Sequence, residues 1–225
     1  MPSKQFFPLG LPLILVFFLL IVLLIAAVEI GAIEYAYEKI GINRRYVFGL
    51  LLLSLLGSYV NIPVAELPAQ HVLSNQEIPF SGPGYVFPWV QEWPGTVIAV
   101  NLGGAVIPTL LSVYLAQKNR MVWPSALAVL AVTAVVHWMA QPVPGVGIVV
   151  PILVPPLAAA GVSLLVADRS RPVVAYVAGS LGALIGGDIL NLGQIPGLGA
   201  PIVSIGGAGT FDAIFLTGII AVLLA

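Results

Sequence analysis

Two aspartates, Asp188 and Asp212, are the residues best suited to chemistry in this sequence, because both stand in long apolar stretches. An ionisable side chain at the centre of a membrane span costs about 2.5 to 3.5 kcal/mol on insertion scales, so one that remains there needs a reason. Two carboxyl groups within hydrogen-bond reach do not both ionise easily, and one of them keeps a proton. The ionised member can then activate water while the protonated member polarises a carbonyl group, which is the chemistry of peptide hydrolysis.

The composition indicates which kind of protein holds these aspartates. The 225 residues are 60% apolar and 8% charged, with no cysteine and a formal net charge of −1. These values exclude a water-exposed globule, and nucleic acid is not expected as a partner because there is no basic excess. Without cysteine the chain has no disulfide and no thiolate nucleophile. We therefore expect a multi-pass integral protein of the cytoplasmic membrane, with the lipid bilayer as its surroundings.

The apolar stretches indicate how many helices cross the bilayer. A span needs roughly 20 apolar residues, since a helix rises about 1.5 Å per residue and the hydrocarbon core is about 30 Å thick. The sequence therefore predicts an all-α fold, a polytopic membrane bundle of about seven transmembrane helices in a single domain over residues 1–225. The predicted spans are 9–33, 45–60, 96–116, 121–140, 147–167, 172–191 and 209–225, with an outer loop at 61–95.

The positions of the cationic side chains predict an orientation. Seven of the eight Lys and Arg residues fall in alternate connections, namely Lys39, Arg44, Arg45, Lys118, Arg120, Arg169 and Arg171. Because Lys and Arg stay on the cytoplasmic side, this pattern predicts an N-terminus outside and a C-terminus inside. The outer loop is aromatic and is predicted to lie at headgroup level, either as a simple aromatic belt or as a gate. Its rings include Tyr85, Phe87, Trp89 and Trp93.

The helix rise also predicts that the two aspartates share a depth. Asp188 lies about 24 Å along the sixth helix, near the outer third of the membrane, and Asp212 opens the seventh helix on the same side. Further polar side chains fall at this level and are expected to support the pair: His137, Asn101, Asn191 and Asn61. Small residues around both aspartates leave room for a cavity, and the Gly- and Pro-rich segment 192–210 could be re-entrant.

The segment Gly207–Phe215, which contains Asp212, resembles the Gly-rich aspartate motif of presenilin and signal-peptide-peptidase type intramembrane aspartyl proteases. Asp188 matches the position of their other catalytic aspartate, on the sixth helix. The family pattern is Gly-x-Gly-Asp, whereas Thr210 and Phe211 precede Asp212 here. The resemblance implies that Asp188 and Asp212 cleave membrane-embedded peptides as a dyad, without a metal or cofactor. The whole chain is also similar to a prokaryotic multispanning family of unknown function.

Two other classes of function use the same residues. Intramembrane carboxylates bind cations or pass protons in transporters, so a small transporter is the alternative prediction. A non-catalytic membrane scaffold is a third. A zinc centre is not expected, since the chain has no HExxH helix. An Asp→Asn change separates the three classes, because a protease loses activity, a transporter loses flux and a scaffold tolerates the change.

Overall fold

The protein is predominantly helical in a computed structural model that describes residues 22, 26, 29–68, 70–74, 89–93, 95–143, 147–197, 202–207 and 213–225. The described α-helices are α1 (Glu29–Lys39), α2 (Arg44–Gly57), α3 (Ile107–Lys118), α4 (Val122–Met139), α5 (Val154–Val166), α6 (Arg171–Ala183) and α7 (Ala213–Leu224). Two π-helical turns extend this set, Leu102–Val106 before α3 and Leu184–Asp188 after α6. A 3-10 helix, Ile189–Gly197, follows the second of them. The predicted helical architecture is thus confirmed.

Among the described residues, two helices are long and apolar enough to cross a membrane: α4 and the continuous helix Arg171–Ile195. A third span results if α1 and α2, which meet at 114°, form one broken helix. Trp123 and Trp138 are 81% and 85% exposed at the two ends of α4. Their spacing corresponds to about 22 Å of helix rise, as expected for rings at the two membrane interfaces. These features fit a membrane protein with two or three full-length spans.

Helix α6 lies at the centre of the fold, and every residue from Val173 to Ser180 is buried. It runs parallel to α4, since Gly182 packs against Val132 and, one turn further on, Gly186 packs against Val136. Small residues allow this approach, because a Cβ at Gly182 would lie 2.6 Å from a Val132 methyl group. The close fit fixes the end of α6 and the π-helical turn that follows it.

Helix α7 runs antiparallel to α6. Gly179 of α6 faces Thr217 of α7, and Leu184 packs in one apolar cluster with Ile214. Residues later in α6 therefore contact residues earlier in α7. The residues that follow Leu184 are thus brought toward the beginning of α7.

Hydrogen bonds from cations at the ends of two helices, α1 and α3, join separate parts of the bundle. The Lys39 ammonium group at the end of α1 donates to the carbonyl oxygen of Val222 in α7, at 3.1 Å. The Lys118 ammonium group at the end of α3 donates to the carbonyl oxygen of Gly41, also at 3.1 Å. These contacts place cations from separate connections at one end of the bundle.

Replacing Lys39 with Met is expected to lower the free energy of unfolding by about 1 kcal/mol, because a carbonyl group in the last turn of α7 loses its charged donor. Thermal unfolding of the purified protein in detergent measures the effect. Arg44→Met is the matched control: its ion pair with Glu34 (2.7 Å) is at the surface, where such pairs contribute little. Equal shifts for the two variants would contradict the assigned role of Lys39.

Seven short strands are found among the described residues, some in predicted connections and some at the beginning of predicted spans. They are β1 (Asn61–Leu67), β2 (Gln70–Ser74), β3 (Trp89–Trp93), β4 (Thr96–Asn101), β5 (Gln141–Val143), β6 (Gly147–Val149) and β7 (Ile202–Ile205). Strand β4 is central in a three-stranded sheet, antiparallel to β1 and parallel to β7. The pairs β2–β3 and β5–β6 are antiparallel hairpins. This sheet brings residues near 61, 101 and 204 together.

Several predicted helix bounds differ from the observed ones. The predicted helix 96–116 begins instead as strand β4, because the apolar run Thr96–Val100 finds hydrogen-bonding partners on both sides in β1 and β7. The predicted helix 147–167 begins as strand β6 and is helical only from Val154. The sixth helix continues past 191 to Gly197. Most of the predicted first span and residues 75–88 of the outer loop, including Tyr85 and Phe87, lie outside the described residues.

Candidate functional site: a cavity at the end of helix α6

Asp188 is the last residue of the π-helical turn that ends α6. One of its carboxylate oxygens, Oδ2, accepts the backbone N–H of Gly206 at 2.7 Å. Gly206 has a φ of 89°, a conformation that suits glycine and turns the chain just after β7. π-Helical turns are rare and often occur at functional sites. The turn and the bond to Gly206 together fix the position of the Asp188 carboxylate.

Asp188 lines a cavity of about 410 Å³, within the size range of small-molecule pockets. Most of the wall is aliphatic, and Ser204 and Thr217 are its two hydroxyl-bearing residues. Asp188 is the one ionisable side chain among the described residues that line it. The aliphatic wall residues include Val136, Ile148, Val150, Ile195, Ile205 and Ile214.

Asp212, the predicted partner of Asp188, lies outside the described residues. One described residue on each side of it in the chain belongs to the site, because Gly207 and Ile214 both line the cavity that Asp188 lines. Asp212 is thus separated by few residues from two positions in this wall.

Asn101 and Asn61 form a polar network at the sheet, not in the cavity wall. Asn101 is 1% exposed, and its amide group donates to the Ser58 carbonyl oxygen at 2.7 Å and to Asn61 Oδ1 at 3.0 Å. Asn101 Oδ1 accepts the Gly104 N–H at 2.8 Å, so the side chain caps the π-helical turn before α3. The Ser204 hydroxyl group donates to Asn61 Oδ1 at 2.6 Å, which connects the network to a residue of the cavity wall.

Asn191 hydrogen-bonds to the backbone of the π-helical turn that contains Asp188. Its amide group donates to the carbonyl oxygens of Gly186 and Gly187 at 2.8 and 2.9 Å, and its Oδ1 accepts from Gln194 at 2.9 Å. Asn191 is 2% exposed. It therefore acts on Asp188 through the backbone, by holding the turn in place.

His137 lies on the exposed face of α4 and is not among the described residues that line the cavity, although Val136 beside it is. Neither His137 nor Asn101 is among the described residues that line this cavity, and their supporting role at the aspartates stays a prediction. The reason is the same for both: the helix rise predicts a shared depth, but depth alone does not fix the face.

No group of three or more His, Cys, Asp or Glu side chains among the described residues could hold a metal ion. The described residues that line the cavity include one with a carboxylate, Asp188, and two with a hydroxyl group, Ser204 and Thr217. This donor set suits proton transfer and hydrogen bonding to a substrate.

Three residues near Asp188 were not predicted from the sequence: Gly206, which donates to it, and Ser204 and Thr217, which line the cavity. Gly206 had a signal, because paired glycines after a short apolar run are typical of a turn with positive φ. Ser204 and Thr217 have no sequence signal that distinguishes them from other Ser and Thr residues in a membrane bundle.

Asn101→Ala is expected to lower the free energy of unfolding by about 3 kcal/mol, because it leaves a buried carbonyl oxygen and a buried N–H without partners. Urea or thermal unfolding in detergent measures the change. The matched control is Asn119→Ala at the end of α3, where the amide makes one half-buried bond to Leu115 (2.9 Å) and about 1 kcal/mol is expected. If the two variants lose equal stability, Asn101 does not hold the π-helical turn as argued.

Comparison with known proteins gives one match. The family described as "Protein of unknown function (DUF1614)" matches residues 55–224, which include the whole sheet and the cavity. No curated protein and no solved structure matches the chain. The similarity of the whole chain to a family of unknown function is thereby confirmed, and the comparisons show no likeness to the presenilin type.

Proposed function

The chain belongs to the DUF1614 family of proteins of unknown function, and we propose that it is an intramembrane hydrolase of the aspartyl type. Its substrates are peptide segments embedded in the membrane, and its catalytic groups are the carboxyl groups of Asp188 and Asp212. The observation that carries the proposal is the position of Asp188 in the wall of a largely aliphatic cavity whose lining also includes Gly207 and Ile214.

The packing of α6 against α7 supports the pairing of the two aspartates. Leu184 and Ile214 share one apolar cluster, and the two helices are antiparallel. Asp188 follows Leu184 by one helical turn, and Asp212 precedes Ile214 by two residues. We therefore propose that the two carboxyl groups meet beyond the Leu184–Ile214 contact.

In the proposed reaction the two carboxyl groups share one proton. The ionised carboxylate takes a proton from a water molecule, and the oxygen of that water attacks the carbon of the substrate carbonyl group. The protonated carboxyl group donates a hydrogen bond to the carbonyl oxygen. The tetrahedral intermediate collapses when the leaving amine takes a proton from the dyad, and the peptide bond breaks. The bond from Gly206 keeps Asp188 directed at the cavity during these steps.

The proposal includes a location and a topology. The protein resides in the cytoplasmic membrane with about seven helices, its N-terminus outside and its C-terminus inside. Support comes from the alternation of cationic connections and from the two bonds that join cationic helix ends, Lys39 to Val222 and Lys118 to Gly41.

A cleavage assay tests the proposal. Purified protein in detergent is mixed with a set of single-span peptides that carry a fluorophore and a quencher, and products are sized by mass spectrometry. Wild type is expected to cut within the apolar span, and the variant D188N/D212N is expected to be inactive. The matched control is Asp168→Asn, at an exposed carboxylate in the α5–α6 connection. Cleavage by the double variant at the wild-type rate would overturn the proposal.

Proton or cation passage is a second candidate, favoured by one specific observation. The helix Arg171–Ile195 changes from α to π to 3-10 at Asp188, and discontinuous membrane helices with a carboxylate at the break are typical of transporters. Proteoliposomes loaded with a pH-sensitive dye test this candidate. A flux that Asp188→Asn abolishes, with no peptide cleavage, would favour it over hydrolysis.

A further inference from the structure

A second cavity lies at the opposite, cation-bearing end of the bundle, between the α1–α2 bend, α2 and α3. Its volume is about 600 Å³. It is distinct from the Asp188 cavity, since the two share no described lining residue. One end of this second cavity is polar and the other is apolar.

The polar end carries two cations. The Lys118 ammonium group lies 3.1 Å from the carbonyl oxygen of Gly41 and 5.3 Å from the centre of the Tyr114 ring, which holds it at the rim. Arg45 lines the same rim, one residue after Arg44, whose guanidinium is neutralised by Glu34. No carboxylate is found among the described residues that line this cavity. The rim therefore favours an anion.

The apolar end follows α2 away from the cations. Leu50 and Leu53 of α2 and Leu111 of α3 line it, and the distance from Arg45 to Leu53 along α2 corresponds to about 12 Å of helix rise. Gly49 widens the groove, since a Cβ at this position would have no atom within 4 Å. Leu53 is 54% exposed, so the groove opens to whatever surrounds the helices.

The level of the rim matches a membrane interface. Lys118 ends α3, and Trp123, which is 81% exposed, stands in the first turn of α4. Tyr46 and Tyr114, which also line the cavity, are 68% and 52% exposed. Exposed aromatic rings and cations at one level are typical of the headgroup region. The groove thus runs from headgroup level into the hydrocarbon region.

We propose that this cavity is a binding site for one anionic phospholipid. The phosphate group pairs with Arg45 and Lys118, and one acyl chain lies along Gly49, Leu50 and Leu53. A basic pocket between membrane helices on the cation-rich side is suited to such a headgroup, and an uncompensated pair of cations discriminates against zwitterionic lipids. A soluble anion would contact only the cations at the rim, and an uncharged lipid would contact only the apolar end of the groove.

Native mass spectrometry tests the assignment. The full-length protein is reconstituted into nanodiscs of phosphatidylcholine with graded phosphatidylglycerol, transferred to mild detergent, and the retained lipids are counted. Wild type is expected to keep one phosphatidylglycerol molecule. The apparent affinity is expected to fall about fivefold for Arg45→Gln or Lys118→Gln and about thirtyfold for both together.

Three controls make the result decisive. Arg169→Gln removes an exposed cation outside the groove and is expected to change nothing. The charge-keeping variant R45K/K118R is expected to retain the lipid, which separates loss of charge from misfolding. An excess of inorganic phosphate is expected not to displace the lipid.

The assignment is overturned by any of four results: no phosphatidylglycerol on the wild type, equal retention of phosphatidylcholine, unchanged binding by R45Q/K118Q, or displacement by inorganic phosphate. The last result would identify a free-phosphate site. If the double variant does not fold, Arg45→Gln alone decides, because Arg45 is exposed and its substitution leaves the Lys118 bond to Gly41 intact.

Discussion

Asp188→Asn is expected to lower the rate of peptide cleavage by about a thousandfold or more and to leave the fold intact. Asparagine has the size and shape of aspartate, and its amide oxygen can still accept the Gly206 N–H that Asp188 Oδ2 accepts at 2.7 Å. What it lacks is a titratable proton, and general acid–base catalysis by a positioned side chain contributes typically 10² to 10⁴ in rate. The loss is therefore expected in kcat, with little change in thermal stability.

The cleavage assay and a thermal unfolding curve, both on the same preparation, check this prediction. Asp168→Asn, the exposed matched control, is expected to match wild type in both. A stable Asp188→Asn protein with wild-type cleavage would remove Asp188 from the chemistry. A large loss of stability would show instead that the bond from Gly206 requires a charged acceptor.

Asp212→Asn separates the two proposed functions. In a shared-proton dyad each carboxyl group is useless without the other, so the two single variants and the double variant are expected to be equally inactive. In a proton pathway centred on Asp188, the 212 variant is expected to keep part of its flux. Comparing single and double variants in both assays thus tells hydrolysis from transport.

Hydropathy predicted the helices that end abruptly in polar or Pro-rich sequence. Helix α4 was predicted at 121–140 and is found at Val122–Met139, because Arg120 and Pro142 limit it on either side. The start of the sixth helix was predicted at 172 and found at Arg171 for the same reason. Charges and prolines at both ends of an apolar run leave little freedom in where the helix begins.

The strands could not be predicted from local sequence. Strand β4, Thr96–Asn101, is a short apolar run that reads equally well as the first turns of a membrane helix. It is a strand because β1 and β7 supply hydrogen-bonding partners. These partners lie about 35 residues before it and about 105 residues after it in the chain. Periodicity does not reveal such long-range partners, and the glycine pair at Gly206 predicts a turn but not the bond from its N–H to Asp188.

The helix rise predicts one shared depth for the residues of the candidate site, but it does not predict which way each side chain points. The helix rise placed Asp188, Asn101 and His137 at one level, whereas the structure assigns Asn101 to the sheet network and His137 to the exposed face of α4. Direction depends on packing contacts such as Gly186 against Val136, which no single-chain pattern encodes. The order of the polar residues along the chain therefore follows from the sequence, whereas the contacts between their side chains do not.

Gly103→Ala is expected to destabilise the protein by at least about 3 kcal/mol, the upper end of the usual cost of overpacking. A Cβ at Gly103 would overlap the carbonyl oxygen of Ser54 and the amide nitrogen of Ser58. Both are backbone atoms of α2 and its C-cap and cannot rotate away as a side chain would. We expect reduced yield of monodisperse protein and a lower unfolding temperature.

The Gly103→Ala substitution is also expected to affect Asp188, because the π-helical turn that contains Gly103 packs against Gly206. A Cβ at Gly206 would lie 2.6 Å from the amide nitrogen of Ala105, two residues after Gly103, so the two backbones are in close contact. Displacement of the turn by Gly103→Ala is therefore expected to move the N–H that Asp188 accepts, and to reduce cleavage in whatever fraction still folds. The matched control is Gly161→Ala on α5, where a Cβ would have no atom within 4 Å and helix propensity favours alanine. Should Gly103→Ala unfold and cleave like Gly161→Ala, the contact between α2 and the π-helical turn is not what holds Asp188 in place.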